Sequence, residues 1–214
     1  MPAADDYARY LTEARCEDAV AAGTIAVVGT DGETPDEVPY GVPWWSPDPR
    51  PVIAPGGVRL GRRLARRLRN RARWWTSADR EFARVVEECR AGRSPRWLTD
   101  ALKQGLCGLH EAGHAHSAEV WEDGELIGGA FGVRIGPVLS LDSMFHRRSD
   151  AARVAIADLA ARFAEAGGLL LDVQWDSPAV RGLGSAAVPR DGYLELLRST
   201  PGPTSLPGGF RRAG

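Results

Sequence analysis

The chain predicts an α+β fold, an antiparallel or mixed sheet flanked by helices with a smaller α/β region at the N-terminal end. Three observations carry that reading. Just after Gly113 the apolar spacing changes from the helical repeat to the two-residue alternation of strands. One long helix pattern, 150–166, stands between two apolar strand runs, 138–142 and 169–175. At 214 residues and 43% hydrophobic content, the chain is long enough to bury a proper core.

Taken in order, residues 5–22 have helical character, 23–28 read as a short strand, and the Gly-, Pro- and acid-rich stretch 29–43 reads as loop. Residues 44–50, WWSPDPR, are too proline-dense for a regular element. Leu60, Leu64 and Leu68 put one apolar face on a helix over 59–71, and Phe82, Val85, Val86 and Cys89 do so over 79–90. Thr99 opens a third helix, carrying Leu102, Leu106, Leu109 and His110, that should end near Gly113. Alternation follows over 117–121, then a tight turn at 122–125 and a strand over 126–133. The Ile135-Gly136-Pro137 turn leads to the strand over 138–142. Ser149 is placed to cap the helix over 150–166, which Gly167-Gly168 stops. Residues 169–175 form a buried strand, and 198–214, rich in Pro, Gly, Ser and Thr, read as a flexible tail.

Composition removes several classes of function. A net charge of -1 gives no global field of the kind that marks a nucleic-acid binder. Cys16, Cys89 and Cys107 are odd in number and widely spaced, which suits a reducing compartment better than a disulfide scaffold. The N-terminus lacks an apolar segment of the secretory kind, and no apolar run approaches membrane length, so a cytoplasmic, soluble protein is expected, with nothing that demands more than a monomer. Lys103 is the only lysine; every other basic side chain of this kind is arginine.

His110, Glu111 and His114 spell H-E-x-x-H, the zinc-protease signature. Zinc binding by that motif needs a continuous helix through both histidines and a third ligand. Gly113 interrupts the helix between them and strand alternation begins within a few residues, so His110, His114 and His116 are expected to make hydrogen bonds at a helix-to-strand corner. No metal is expected.

An antiparallel meander, a helix and a further strand is the plan of the acyltransferase (GNAT-like) superfamily that includes the N-acetyltransferases. It divides the chain into an N-terminal region with an arginine-rich helix (1–95), a GNAT-like catalytic domain (96–197) and the tail (198–214). Coenzyme A is disfavoured, because the pyrophosphate-binding turn of that superfamily is glycine-containing and here reads Arg147-Arg148-Ser149-Asp150-Ala151-Ala152.

Several runs together resemble the leucyl/phenylalanyl-tRNA–protein transferase family. They are WWSPDPR (44–50), Trp97-Leu98-Thr99, LHEAGHAHSAEVW (109–121), LIGGAFG (126–132), Ser143-Met144-Phe145, Asp172-Val173-Gln174, Leu183-Gly184 and Pro189-Arg190, in the family's order and spacing. The resemblance implies transfer of an aminoacyl group from aminoacyl-tRNA to an amine, with no cofactor and aminoacyl-tRNA as co-substrate. It implies that Gln174 orients the amine through its carbonyl oxygen and that Asp172 polarises Gln174. Two apart on a strand, these side chains should share a face, with Val173 and Trp175 pointing away. It further implies acceptor binding at Asp142 and Ser143, and a donor pocket for the aminoacyl side chain and terminal adenosine lined by Trp97, Met144, Ile156 and Phe163. For Ile156 and Phe163 the plainer reading is helix-face core. Eight arginines between Arg59 and Arg73, with no acid from Pro51 to Ala78, form a basic stripe suited to tRNA phosphates; Arg62, Arg63, Arg66 and Arg67 are its candidates. The plainer reading there is a solvated helix face.

Departures from the family's pattern cluster on substrate recognition. Tyr40-Gly41-Val42-Pro43 runs directly into Trp44 without the family's aromatic segment and spacer. The family's G-E-S-M-F-S is Leu141-Asp142-Ser143-Met144-Phe145-His146, and its H-x-A-S-L-G is Val180-Arg181-Gly182-Leu183-Gly184. Asp172 and Gln174 are intact. The pattern leads to the expectation of an aminoacyl-tRNA-dependent enzyme whose acceptor is a small amino acid or peptide, as in specialised metabolism. The alternative is tagging of protein N-terminal Arg or Lys, and a reading of another class is a non-catalytic tRNA- or peptide-binding module.

Overall fold

A computed structural model describes residues 48–54, 56–70, 73–91, 98–174, 176–199, 202 and 205–214. Its elements are β1 (Arg50–Ile53), α1 (Arg62–Asn70), β2 (Trp74–Ala78), α2 (Phe82–Arg90), α3 (Asp100–Glu111), β3 (Ala115–Glu122), β4 (Glu125–Ile135), β5 (Val138–His146), α4 (Ala151–Glu165), β6 (Leu170–Asp172), α5 (Pro178–Gly182), β7 (Ala186–Val188), α6 (Arg190–Ser199) and β8 (Arg211–Arg212). The elements expected over 5–43, the residues 44–47 and Trp97 lie outside the described residues.

The expected α+β class is observed. Among the described residues the strands form one eight-stranded sheet, ordered β7-β1-β6-β5-β4-β3-β2-β8. β3, β4 and β5 are the antiparallel meander. Its first turn is Asp123-Gly124, both at positive φ (50° and 84°), the backbone that a two-residue hairpin turn requires. After β5 the chain crosses through α4 and returns as β6, parallel to β5 with Ser140 opposite Asp172. This is the meander, helix and returning strand read from the sequence.

The boundaries differ where hydrogen bonding and apolar alternation part company. β4 and β5 run further than expected because glycines and polar residues, among them Gly128, Gly132, Ser140 and Asp142, keep pairing although they break the apolar pattern. β6 is shorter, ending at Asp172. Ser149 does not cap α4; Asp150 holds that position in the left-handed conformation (φ 72°), with no side-chain cap. Thr99 does cap α3, its Oγ1 accepting from Leu102 N–H at 3.2 Å.

The sheet runs across the boundary expected at residue 95, since β1 and β2 belong to it. The segment expected as a flexible tail is tied down instead. β8 pairs with β2, Arg211 pairs with Glu165 at 2.6 Å, and the Pro207 carbonyl accepts from the buried Arg162. Arg162 also reaches Asp158 (2.6 Å) and the Thr76 carbonyl (3.3 Å), so one guanidinium joins α4, β2 and the C-terminal segment. Two-residue strands carry no readable period, which is why sequence spacing missed β8.

Two apolar layers cover the two faces of the sheet. On one, α1 (Leu64, Leu68) and α4 (Ile156, Leu159, Phe163) pack on Ala118, Val120, Ile127 and Ala130. On the other, residues of α2, α3 and α6 share one apolar cluster with Trp121, Leu126, Phe131 and Val133 of β3 and β4. Burying Leu64 and Leu68 stabilises the otherwise arginine-rich α1 by about 1.5–3 kcal/mol each. β3 carries a fully buried carboxylate, Glu119, opposite Ser77 of β2, accepting from Ser117 Oγ at 2.6 Å and from Ser77 Oγ. Burial pushes its pKa up, with the two hydroxyls and the Glu81 N–H partly opposing.

Gly132 faces the β5 backbone, and a Cβ there would stand 2.1 Å from the Ser140 carbonyl oxygen. Gly132→Ala should therefore destabilise the fold by about 1–3 kcal/mol and lower Tm by about 2–12 °C in thermal denaturation. For Glu119 a raised folded-state pKa means that its contribution is fully present below the ordinary glutamate pKa and is lost as pH rises through the folded value. Glu119→Gln should flatten that decline, read as the denaturant midpoint against pH.

Candidate active site

A cleft of about 450 Å³ opens where the end of β6, the middle of β5, the first turn of α4 and α5 meet. Register explains how β5 shapes it. Phe131 pairs with Ser143 while Gly132 pairs with Leu141, so Asp142 is the extra residue of a β-bulge. A bulge re-aims the side chain it carries, and Asp142 lines the cleft. Gly132 lies opposite, where only a missing side chain lets the two backbones approach so closely.

Beneath the cleft floor Asp172 ends β6 with no solvent exposure. Arg50 donates to it from Nε (3.0 and 3.1 Å) and Nη2 (2.7 Å), Tyr193 donates its hydroxyl at 2.7 Å, and the Gln174 backbone N–H donates at 2.9 Å. The Arg50 guanidinium also lies 5.1 Å from the Tyr193 ring centroid. Burial and then the Asp172 charge push the Tyr193 pKa well up, so Tyr193 remains a neutral donor. Burial works against the charge on Arg50, but Asp172 and Tyr193 outweigh it and its pKa is raised.

Gln174 is not on the strand. It follows β6 in the left-handed region (φ 63°), a conformation held by its N–H bond to Asp172. The expected shared strand face is therefore replaced by a turn that still carries Gln174 to the cleft. Its side-chain Nε2 donates to Asp142 Oδ1 (2.9 Å) and Ser140 Oγ (3.0 Å). An ionised carboxylate can only accept, so Asp142 determines which end of the amide faces it and turns Oε1 the other way. Oε1 accepts from no described residue. Asp142, rather than Asp172, touches the carboxamide; Asp172 acts on Gln174 through the backbone.

The cleft brings together Asp142, Ser143, Met144, Ile156 and Gln174. Ser143 Oγ is buried there with no hydrogen-bond partner among the described residues. Phe163 is a correction: it is 2% exposed, lies in the core and packs against Gly168, because α4 turns that face onto the sheet. Arg62, Arg63 and Arg66 are exposed on α1, whereas Arg67 is tethered to Asp150 at 3.1 Å and lies 5.2 Å from the Trp74 ring centroid. Sequence reasoning passed over Arg50, Tyr193 and Ser140. Arg50 closes the WWSPDPR run, which was the available signal; Ser140 and Tyr193 gave none.

The H-E-x-x-H residues lie apart from the cleft-lining side chains. α3 ends at Glu111, before His114. His110 Nδ1 lies 2.8 Å from the Ala115 carbonyl, His114 Nδ1 2.7 Å from Arg134 Nη2, and His116 Nδ1 2.8 Å from Asp79 Oδ2. Each imidazole is engaged at the helix-to-strand corner, as expected.

A meander with one crossover helix carries a cleft that presents a carboxamide oxygen above an ion-paired floor. The chain belongs to the leucyl/phenylalanyl-tRNA protein transferase family, whose model matches residues 52–198. A leucyl/phenylalanyl-tRNA–protein transferase from Shewanella piezotolerans is 40% identical over 160 residues, covering 73% of this chain and 67% of that one. Another, from Xanthomonas axonopodis pv. citri, is 39% identical over 171 residues, covering 78% and 68%. Among solved structures, a GCN5-related N-acetyltransferase from Kribbella flavida is similar over 66% of this chain and 55% of that one, with a TM-score of 0.44 and 13% identity. The chain is thus an aminoacyltransferase, and the reading as a non-catalytic module is set aside.

Removing one partner of a buried ion pair strands the other charge. Asp172→Asn should destabilise the fold by about 3–5 kcal/mol in denaturant titration. Tyr193→Phe, which removes one hydrogen bond, should cost about 1–3 kcal/mol.

Proposed function

We propose that this chain moves an aminoacyl group from aminoacyl-tRNA to the α-amine of a peptide or protein N-terminus. The observation that carries the proposal is Gln174, whose Nε2 is held by Asp142 and Ser140 so that Oε1 is left to accept from an incoming amine. The neutral amine attacks the ester carbonyl carbon, the new C–N bond forms, and the ester C–O bond breaks. The amine loses one proton and the departing ribose oxygen gains one. Gln174 has no useful pKa, so orientation of the amine rather than strong base catalysis supplies its share of the rate.

The protein N-terminus is favoured over the small acceptor of specialised metabolism that the departures in sequence suggest, because relatives of about 40% identity carry the protein-transferase name. Asp142 keeps a carboxylate at the cleft for a basic N-terminal residue, and the unpartnered Ser143 Oγ is placed to bind the same acceptor. Met144 and Ile156 supply apolar wall for the donor side chain. The exposed Arg62, Arg63 and Arg66 suit the tRNA phosphates, and such a substrate is met in the cytoplasm.

The test charges bulk tRNA with labelled Leu, Phe or Met and offers a peptide beginning with Arg or Lys. Label should enter the peptide, and Gln174→Ala should lower kcat by about a hundred-fold with a folded protein. A peptide that stays unlabelled while the protein accelerates loss of one aminoacyl-tRNA would sink the N-terminal acceptor and point to a small-molecule amine.

A further inference from the structure

Arg153 lines the cleft, the one cation among its described lining residues. It lies in the first turn of α4, three residues before Ile156, and that spacing puts both side chains on one helix face. Its guanidinium is half-exposed and makes no hydrogen bond to a described residue. Its ion-pair partner among the described residues, Asp150, stands 3.7 Å away and is also paired with Arg67 at 3.1 Å. Five N–H donors are therefore carried on the wall of a mostly apolar cleft with no hydrogen-bond acceptor among the described residues. The complementary ligand is an anion.

Of the two substrates, only the donor brings one at this point. The proposed acceptor offers an amine and a basic side chain, which Asp142 on the β5 wall attracts and Arg153 on the α4 wall repels. The donor carries a phosphodiester immediately before its terminal adenosine. We infer that Arg153 binds this phosphodiester, an inference that rests on the reading of the cleft as an aminoacyl-tRNA site. The two walls then sort the substrates by charge, and the donor is recognised at its 3′ end by a group that a phosphate-free ester lacks.

The experiment compares two short donors of the same amino acid, its 3′ ester on adenosine, which has no phosphate, and on the dinucleotide cytidylyl-adenosine, which has one. Arg153→Gln should raise KM for the dinucleotide ester about ten-fold to a hundred-fold. The loss in kcat/KM should be at least about ten-fold smaller for the adenosine ester, since only the dinucleotide brings the charged acceptor. Arg153→Lys should recover most of the loss. With whole aminoacyl-tRNA, the slope of log affinity against log salt should fall in magnitude by about one in the Gln variant. Equal losses on both short donors, or a KM increase confined to the acceptor peptide, would overturn the assignment while leaving the cleft's function standing. Failure of the wild type to use any of these esters, aminoacyl-tRNA included, would overturn both. An unchanged circular-dichroism melt separates these outcomes from misfolding.

Discussion

The buried carboxylate of Asp172 is the interaction on which the site depends. Arg50 reaches it across 122 residues of sequence and Tyr193 across 21, so one group joins β1, β6 and α6. A buried charge pair is tolerable only when its remaining donors and acceptors are also met. Here the last acceptor position is filled by the Gln174 N–H, at the point where the chain leaves β6. Satisfying the carboxylate and turning Gln174 out of the strand are therefore the same event. The left-handed conformation at Gln174, costly for a residue with a side chain, persists because the ion pair beneath it holds the amide in place.

A second constraint acts from β5. The bulge at Asp142 lets one strand keep pairing with β4 while pushing a carboxylate into the cleft. That carboxylate and Ser140 take both donors of the Gln174 amide. Orientation of the carboxamide thus comes from two neighbouring strands, with backbone control from Asp172 and side-chain control from Asp142. Rigid sheet elements are well suited to this, because acyl transfer from an activated ester needs positioning more than it needs a strong base. The cost falls on β4, where Gly132 must be without a side chain for the bulged strand to pass.

The cleft's charges fall on separate elements, Asp142 on β5 and Arg153 on α4. Asp150 sits beside Arg153 but is shared with Arg67 of α1, so the arginine-rich helix is tethered to the first turn of α4. Arg67 is thus held by contacts while Arg62, Arg63 and Arg66 on the same helix are exposed. A count of arginines could not have separated them.

The sequence by itself determined the meander, the crossover helix and the returning strand, because apolar periodicity and an Asp-Gly turn are local properties that a short window displays. It also determined the family, through runs such as WWSPDPR and HEAGHAHSAEVW in their order, and the end of the third helix before His114, since Gly113 at positive φ stops it. Only the tertiary structure decided that Asp142 touches the Gln174 amide, that Arg50 and Tyr193 hold Asp172, and that Phe163 belongs to the core. Each of these depends on register or on contacts between distant segments. A one-residue bulge reverses which face a strand residue occupies, and spacing along the chain cannot show which of many arginines meets one buried carboxylate. The last strand, β8, was hidden for the same reason: two residues have no period, and their place at the sheet edge comes from Arg162 donating to the Pro207 carbonyl and from Arg211 pairing with Glu165 of α4.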